Sequence, residues 1–145
     1  MDDLTDGPVH VLPEPDAWEF LTRKEYGRLA FVLGGDVHIA PVNYAMSGRR
    51  LLIRTAPGSK LLGVVVHPKV AFEVDEVDER TATSVVARGI AKHLSQREAD
   101  ATEALQPAPW VNTPKYEVIA VELTEVHGRR FDLNRPTPSA GAAQG

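Results

Sequence analysis

The chain has 145 residues, of which 43% are hydrophobic and 25% charged, a balance that supports one packed domain and argues against wholesale disorder. Sixteen Lys and Arg against twenty Asp and Glu give a formal charge of −4, which excludes nucleic-acid binding through a bulk basic field. Cysteine is absent, so disulfides, thiol catalysis and Cys-ligated zinc or iron–sulfur centres are excluded. No apolar run approaches the roughly 20 residues of a membrane helix. The acidic start Met1-Asp2-Asp3 lacks the basic-then-apolar order of a signal peptide, so a cytoplasmic domain without a membrane or nucleic-acid partner is the expectation.

In chain order, residues 1–13 carry Gly7, Pro8 and Pro13 and read as a flexible segment. A helix is predicted from Pro15 or Asp16 to Lys24, with Trp18 and Leu21 on its apolar stripe and Gly27 as its stop. The period then becomes two. Arg28–Leu33 and Val37–Met46 are predicted strands around the turn Gly34-Gly35-Asp36. Pro41 has no N–H for a ladder, which requires an edge or a bulge. Ser47-Gly48-Arg49 turns into a strand over Arg50–Thr55.

Beyond Ala56-Pro57-Gly58, Ser59 caps a predicted helix over Lys60–Val66. Val70–Val77 and Ser84–Leu94 read as strands. Ser95, with Glu98 three residues on, forms a capping box for a helix reaching Leu105. A Pro-rich loop, Pro107 to Pro114, carries Trp110, and a long strand, Tyr116–Phe131, is expected to bend at Gly128. Residues 134–145 are nearly all Pro, Ser, Ala, Gly and Gln and read as a disordered tail, leaving 14–133 as the domain. Six or so strands joined mostly by tight turns, with short helices, predict a mainly β fold: a small barrel with peripheral helices.

The five His are scattered without metal-site spacing, and no phosphate loop of the Walker type, dinucleotide fingerprint or nucleophile elbow is present. The acidic run Glu73, Asp75, Glu76, Asp78, Glu79 alternates with Phe72 and Val74, the pattern of a solvated strand face rather than a calcium loop. Any redox chemistry therefore falls to a cofactor. In Arg54-Thr55-Ala56-Pro57-Gly58-Ser59-Lys60, two cations, two hydroxyls and a helix start could converge on a dianion. The plainer reading makes Ser59 a cap and the cations solvated. Pro41-Val42-Asn43-Tyr44 offers unpaired backbone groups to the edge of a planar heterocycle, or is simply a guarded edge strand. Ser84 opens a strand, and Trp110 can wall a pocket or anchor an interface.

Taken in series, Gly27-Arg28-Leu29-Ala30-Phe31, Pro41-Val42-Asn43-Tyr44, Arg54-Thr55 with Gly58-Ser59-Lys60-Leu61, Val70 to Asp75, Ser84-Val85-Val86 closing on Gly89, Pro109-Trp110 and Gly128-Arg129-Arg130 resemble the pyridoxamine 5′-phosphate oxidase-like flavin-binding split-barrel family, in its short bacterial branch. The resemblance covers about residues 14 to 132. It implies a six-stranded split β-barrel of the FMN-binding type, a homodimer, and two FMN sites at the subunit interface serving an oxidoreductase with a small-molecule substrate. Carried over, Val42, Asn43 and Tyr44 would line the isoalloxazine, largely through backbone groups. Arg54, Thr55, Ser59 and Lys60 would hold the phosphate, Ser84 would lie by the ribityl–phosphate region, and Trp110 near the ring. The chain has Ala82-Thr83-Ser84-Val85 where the pattern usually has Gly-Trp-Ser-Val. Loss of that Trp leaves two alternatives open. One is the deazaflavin coenzyme F-420, its acidic tail met by Arg49, Arg50, Arg129 and Arg130; the other is a non-catalytic flavin- or ligand-binding protein. The residues that fix pyridoxal phosphate in the true oxidases are not recognisable, so that substrate is not expected.

Overall fold

The computed structural model describes residues 7–110, 113 and 115–134. Eight strands, all paired antiparallel, form one curled sheet, a split half-barrel with few helices. They are β1 (Val9–Val11), β2 (Tyr26–Leu33), β3 (Asp36–Asn43), β4 (Ala45–Ser47), β5 (Arg50–Thr55), β6 (Lys69–Val77), β7 (Thr81–His93) and β8 (Glu117–Asp132). The order across the sheet is β3-β2-β6-β7-β8-β5-β4, with β1 added to β8. Eight strands stand where six or so were expected, for two reasons. Val9–Val11 pairs with Arg129–Phe131, which brings part of the presumed flexible start into the sheet. The predicted strand Val37–Met46 is split at Tyr44, whose side chain turns into the core.

The β2–β3 hairpin follows from its turn. Leu33 faces Asp36 in the ladder, and Gly34 and Gly35 both take positive φ, 62° and 84°, as a two-residue turn matched to strand twist requires. Pro41 sits on β3, which pairs only with β2 and is therefore an edge. Gly27 is not a helix stop. Helix α1 (Glu14–Arg23) already ends at Lys24, and Gly27 lies buried in β2, where a Cβ would stand 2.6 Å from the Glu73 carbonyl oxygen and 2.7 Å from Phe72 Cζ.

The inner face of the sheet carries the core, with Leu29, Phe72, Val74, Val85, Ile53, Ile119 and Val121 closed off by Leu21 of α1 and Val64. A smaller cluster, Leu52, Leu94, Val118 and Ala120, lies under Ala99 of helix α2 (Gln96–Ala101). Burial of this apolar area is what holds the short helices, since neither is long enough to persist alone.

Three local expectations are corrected. The segment after Ser59 is a six-residue 3-10 turn, Lys60–Val65, rather than an α-helix, although Ser59 does cap it by accepting from Leu61 N at 3.1 Å. The helix expected to run to Leu105 breaks at Thr102 into α2 and a 3-10 turn, Glu103–Leu105; the capping box of Ser95 and Glu98 is present. The irregularity of β8 lies at Thr124, not Gly128. Gly89 faces Leu123 while Arg88 faces Glu125, so Thr124 is bulged out, and its hydroxyl donates to the Arg88 carbonyl at 3.2 Å. The bulge shifts the alternation by one, so Leu123 and Val126 both point inward.

Candidate functional site

A cavity of about 320 Å³ opens where β3 and β5 end beside the Pro107–Trp110 loop. Its strand-built side carries Pro41, Val42 and Asn43 of β3 and Arg54 and Thr55 of β5. The register fixes these positions: Val42 faces Gly27 and Asn43 faces Tyr26, while Arg54 and Thr55 face Val118 and Glu117. Leu61, the first buried residue of the 3-10 turn, adds an apolar floor. The opposite side is Pro109 and Trp110, with Thr113 and Tyr116.

Side-chain contacts hold this second side. Trp110 stacks on Tyr26 with ring centroids 5.1 Å apart and planes 10° from parallel. Asn43 Nδ2 donates to the Ala108 carbonyl at 2.8 Å. The Arg54 guanidinium lies 5.4 Å from the Tyr116 ring centroid and donates through Nε to Gln106 Oε1 at 2.8 Å. Beside the cavity, His93 Nε2 lies 2.9 Å from Glu117 Oε1, and this hydrogen bond keeps the Glu117 carboxyl below its ordinary pKa.

The structure therefore brings five of the nine residues singled out from sequence to one cavity: Val42, Asn43, Arg54, Thr55 and Trp110. Four are elsewhere. Tyr44 is 2% exposed, packs edge-on against Phe72, and donates its hydroxyl to the Leu21 carbonyl at 2.6 Å; its backbone N–H is engaged by Glu25. Burial pushes its phenol well above the usual tyrosine pKa, and the Glu25 charge adds to this. Ser59 is occupied as a cap, and Lys60 is exposed outside the cavity lining. Ser84 sits on β7 between Asp75 and Arg129, away from this cavity. Of the four residues read as a phosphate cluster, Arg54 and Thr55 line this cavity, and the segment after Ser59 is a six-residue 3-10 turn rather than a helix start. Sequence reasoning missed Tyr26, Gln106 and Tyr116 as contributors. Tyr26 was marked only by its place one residue before the buried Gly27.

A second groove, about 410 Å³, runs along the outer face of β2, β6 and β7 past Ala30, Val32, Ala71 and Ile90. It is larger, and Lys69, Arg88, Thr124 and Glu125 also line it. On the same face Arg28 pairs with Glu73 and, at 2.8 Å, with Asp75. Among the described residues no group of His, Asp or Glu is arranged to hold a metal ion, and no helix is long and apolar enough to cross a membrane.

The curled antiparallel sheet with a cleft beside it gives the chain a split-barrel fold. A family model described as pyridoxamine 5′-phosphate oxidase matches residues 13–130, and the chain belongs to that family. It is 32% identical over 138 residues to the uncharacterised protein Rv0080 of Mycobacterium tuberculosis, covering 90% of each chain. Among solved structures, a candidate pyridoxamine 5′-phosphate oxidase from Corynebacterium glutamicum superposes with a TM-score of 0.79 at 34% identity, over 90% of this chain and 98% of that one. A protein from Mycobacterium smegmatis described as FAD-binding superposes with a TM-score of 0.72 at 30% identity, over 86% of this chain and 99% of that one.

Proposed function

We propose that this chain is a flavin-dependent oxidoreductase that binds FMN in the Arg54 cavity and works as a homodimer. The observation that carries the reading is the Arg54 guanidinium. Its Nε is satisfied by Gln106, and its terminal nitrogens have no hydrogen-bond partner among the described residues, in a cavity that Thr55, Asn43 and Thr113 also line and that is otherwise walled by apolar and aromatic groups. A fixed guanidinium with free N–H donors suits a terminal phosphate, and the apolar and aromatic walls suit a planar ring. The FAD-binding description of the Mycobacterium smegmatis relative supports a flavin as the ligand class.

Bound flavin would supply two-electron redox chemistry. The protein's own residues bind and orient it. Arg54 and Thr55 would take the phosphate, Val42 and Leu61 would exclude water from one side of the ring, and Trp110 with Tyr26 would form an aromatic wall.

Dimerisation is supported by the outer face, where Val37 is 75% exposed, Ile39 68%, and Val86 and Ile90 each above 40%. A contiguous apolar surface of this kind is normally covered. Ser84 alternates with Val86 and Ile90 on that face, so in a dimer it would reach a cofactor from the opposing copy.

Titrating FMN, FAD, riboflavin and coenzyme F-420 into the purified chain while following flavin fluorescence tests the proposal. Binding of FMN is expected, with Arg54→Ala weakening it about tenfold or more, the scale of a charge-assisted hydrogen bond. No binding of FMN at tens of micromolar defeats the reading. Tighter binding of F-420 moves it to the deazaflavin, and binding without turnover by any hydride donor moves it to a carrier.

A further inference from the structure

Gln106 lies 52 residues from Arg54 in the chain, yet its side-chain amide is engaged at both ends. Oε1 accepts from Arg54 Nε at 2.8 Å, while Nε2 donates to the Ala99 carbonyl at 2.7 Å and to Thr102 Oγ1 at 3.1 Å. These partners fix which end of the amide faces the arginine, because a rotated amide would set two donors against the guanidinium and a carbonyl oxygen against the Ala99 carbonyl. Thr102 is itself held, its hydroxyl lying 3.1 Å from the Ala99 carbonyl and 3.2 Å from that of Glu98. The chain of contacts runs back into α2, whose Ala99 packs on the small apolar cluster.

An arginine on a free stem loses rotamer entropy when it clasps an anion. Here that loss is already taken. Nε is tied to Gln106, the guanidinium lies against the Tyr116 ring, and the two Nη groups of this cavity-lining residue have no hydrogen-bond partner among the described residues. We propose that Gln106 is a positioning residue for cofactor binding: it holds Arg54 so that its Nη groups meet the terminal phosphate of the flavin. This rests on the flavin reading above and extends it to a residue that does not line the cavity.

The test has two arms on the full chain. Without ligand, the Arg54 Nε–H resonance in a ¹⁵N NMR spectrum should be protected from solvent exchange in the wild type and lose that protection in Gln106→Met. With ligand, Gln106→Met should weaken FMN roughly tenfold and leave riboflavin, which lacks the phosphate, within about twofold. Gln106→Glu keeps an acceptor for Nε but places a carboxylate beside the guanidinium. Its carboxylate has no donor for the Ala99 carbonyl, so it too should lose the fixed geometry, show reduced Nε–H protection and weaken FMN at least as much, with riboflavin again unchanged. If Gln106→Met does not fold, Gln106→Glu carries the test.

A wild type that binds FMN while both variants bind it equally well overturns this inference alone. So do FMN and riboflavin falling together, which would mark a merely structural role. A wild type that binds no flavin overturns the function itself, and the phosphate role of Gln106 with it.

Discussion

The two sides of the cavity are built by different means. On one side, Val42, Asn43, Arg54 and Thr55 belong to strands and are placed by ladder hydrogen bonds over a buried core; Val42 is 7% exposed. On the other, Pro109 and Trp110 belong to an irregular segment, and Trp110 is 55% exposed. That side is held by a stacked ring pair, one Asn–carbonyl bond and the Gln106–Arg54 bond. The first side inherits the cooperativity of the sheet, whereas each contact of the second can be removed singly. The cavity therefore joins a half fixed by the sheet to a half whose contacts are few and local.

The largest blow to the strand-built side is Gly27→Val, which thrusts a branched side chain against the Glu73 carbonyl and Phe72 beneath Val42. A loss of about 3 kcal/mol or more in chemical denaturation is expected, because backbone on one side cannot yield. A stability within about 0.5 kcal/mol of wild type would erase the contrast between the two sides. Tyr44→Phe comes next. It leaves the Leu21 carbonyl without its partner in the core and should cost about 1–3 kcal/mol by the same measurement.

Asn43→Ala frees the Ala108 carbonyl at the surface and should cost about 1 kcal/mol or less in global stability. Its signature is elsewhere: in a Trp18→Phe background, Trp110 fluorescence should report a more mobile ring, through lower steady-state anisotropy. Unchanged anisotropy would mean that stacking on Tyr26 suffices. The smallest effect is a pH response in α2. Lys92 Nζ, at 2.6 Å, and then the Ser95 backbone N–H hold the Glu98 carboxyl down to about 2. Because the folded value lies below the unfolded one, this contribution is complete above about pH 4.5 and is lost as pH falls toward 2. Protection of the Ser95 amide, corrected for the intrinsic pH dependence of exchange, should fall across that window; protection unchanged down to pH 2 would mean that the capping box does not depend on the Glu98 charge.

Much of the strand-built side was readable because strand alternation and tight turns are local signals. Gly34-Gly35, the edge position of Pro41 and the Ser95–Glu98 box each act over a few residues. On the loop-built side only Trp110 in its Pro-rich segment was readable; the contacts that hold it were not, because Asn43 meets Ala108 across 65 residues and Arg54 meets Gln106 across 52, and no short-range pattern encodes either. Tyr44 misled for a related reason. Its position after Asn43 continues the strand on paper, but a phenol with a carbonyl to bond inside the core outweighs one more ladder pair. The family resemblance supplied what periodicity could not, and the family match covers residues 13–130.

The bulge at Thr124 has a consequence for how the gene can vary. β8 is the seam of the sheet: β7 runs along one edge, while β5 and then β1 share the other. One supernumerary residue lets Val121 and Leu123 before it and Val126 after it all face the interior. Deleting that single codon would close the bulge and leave Leu123, Glu125 and Val126 in plain in-out-in alternation, with His127 and Arg129 still outside, whereas losing a residue from the regular ladder would turn every side chain beyond it to the other face. The bulge is thus the point in β8 where chain length has slack, and Thr124, whose side chain lies at the surface, is the residue that can be spared.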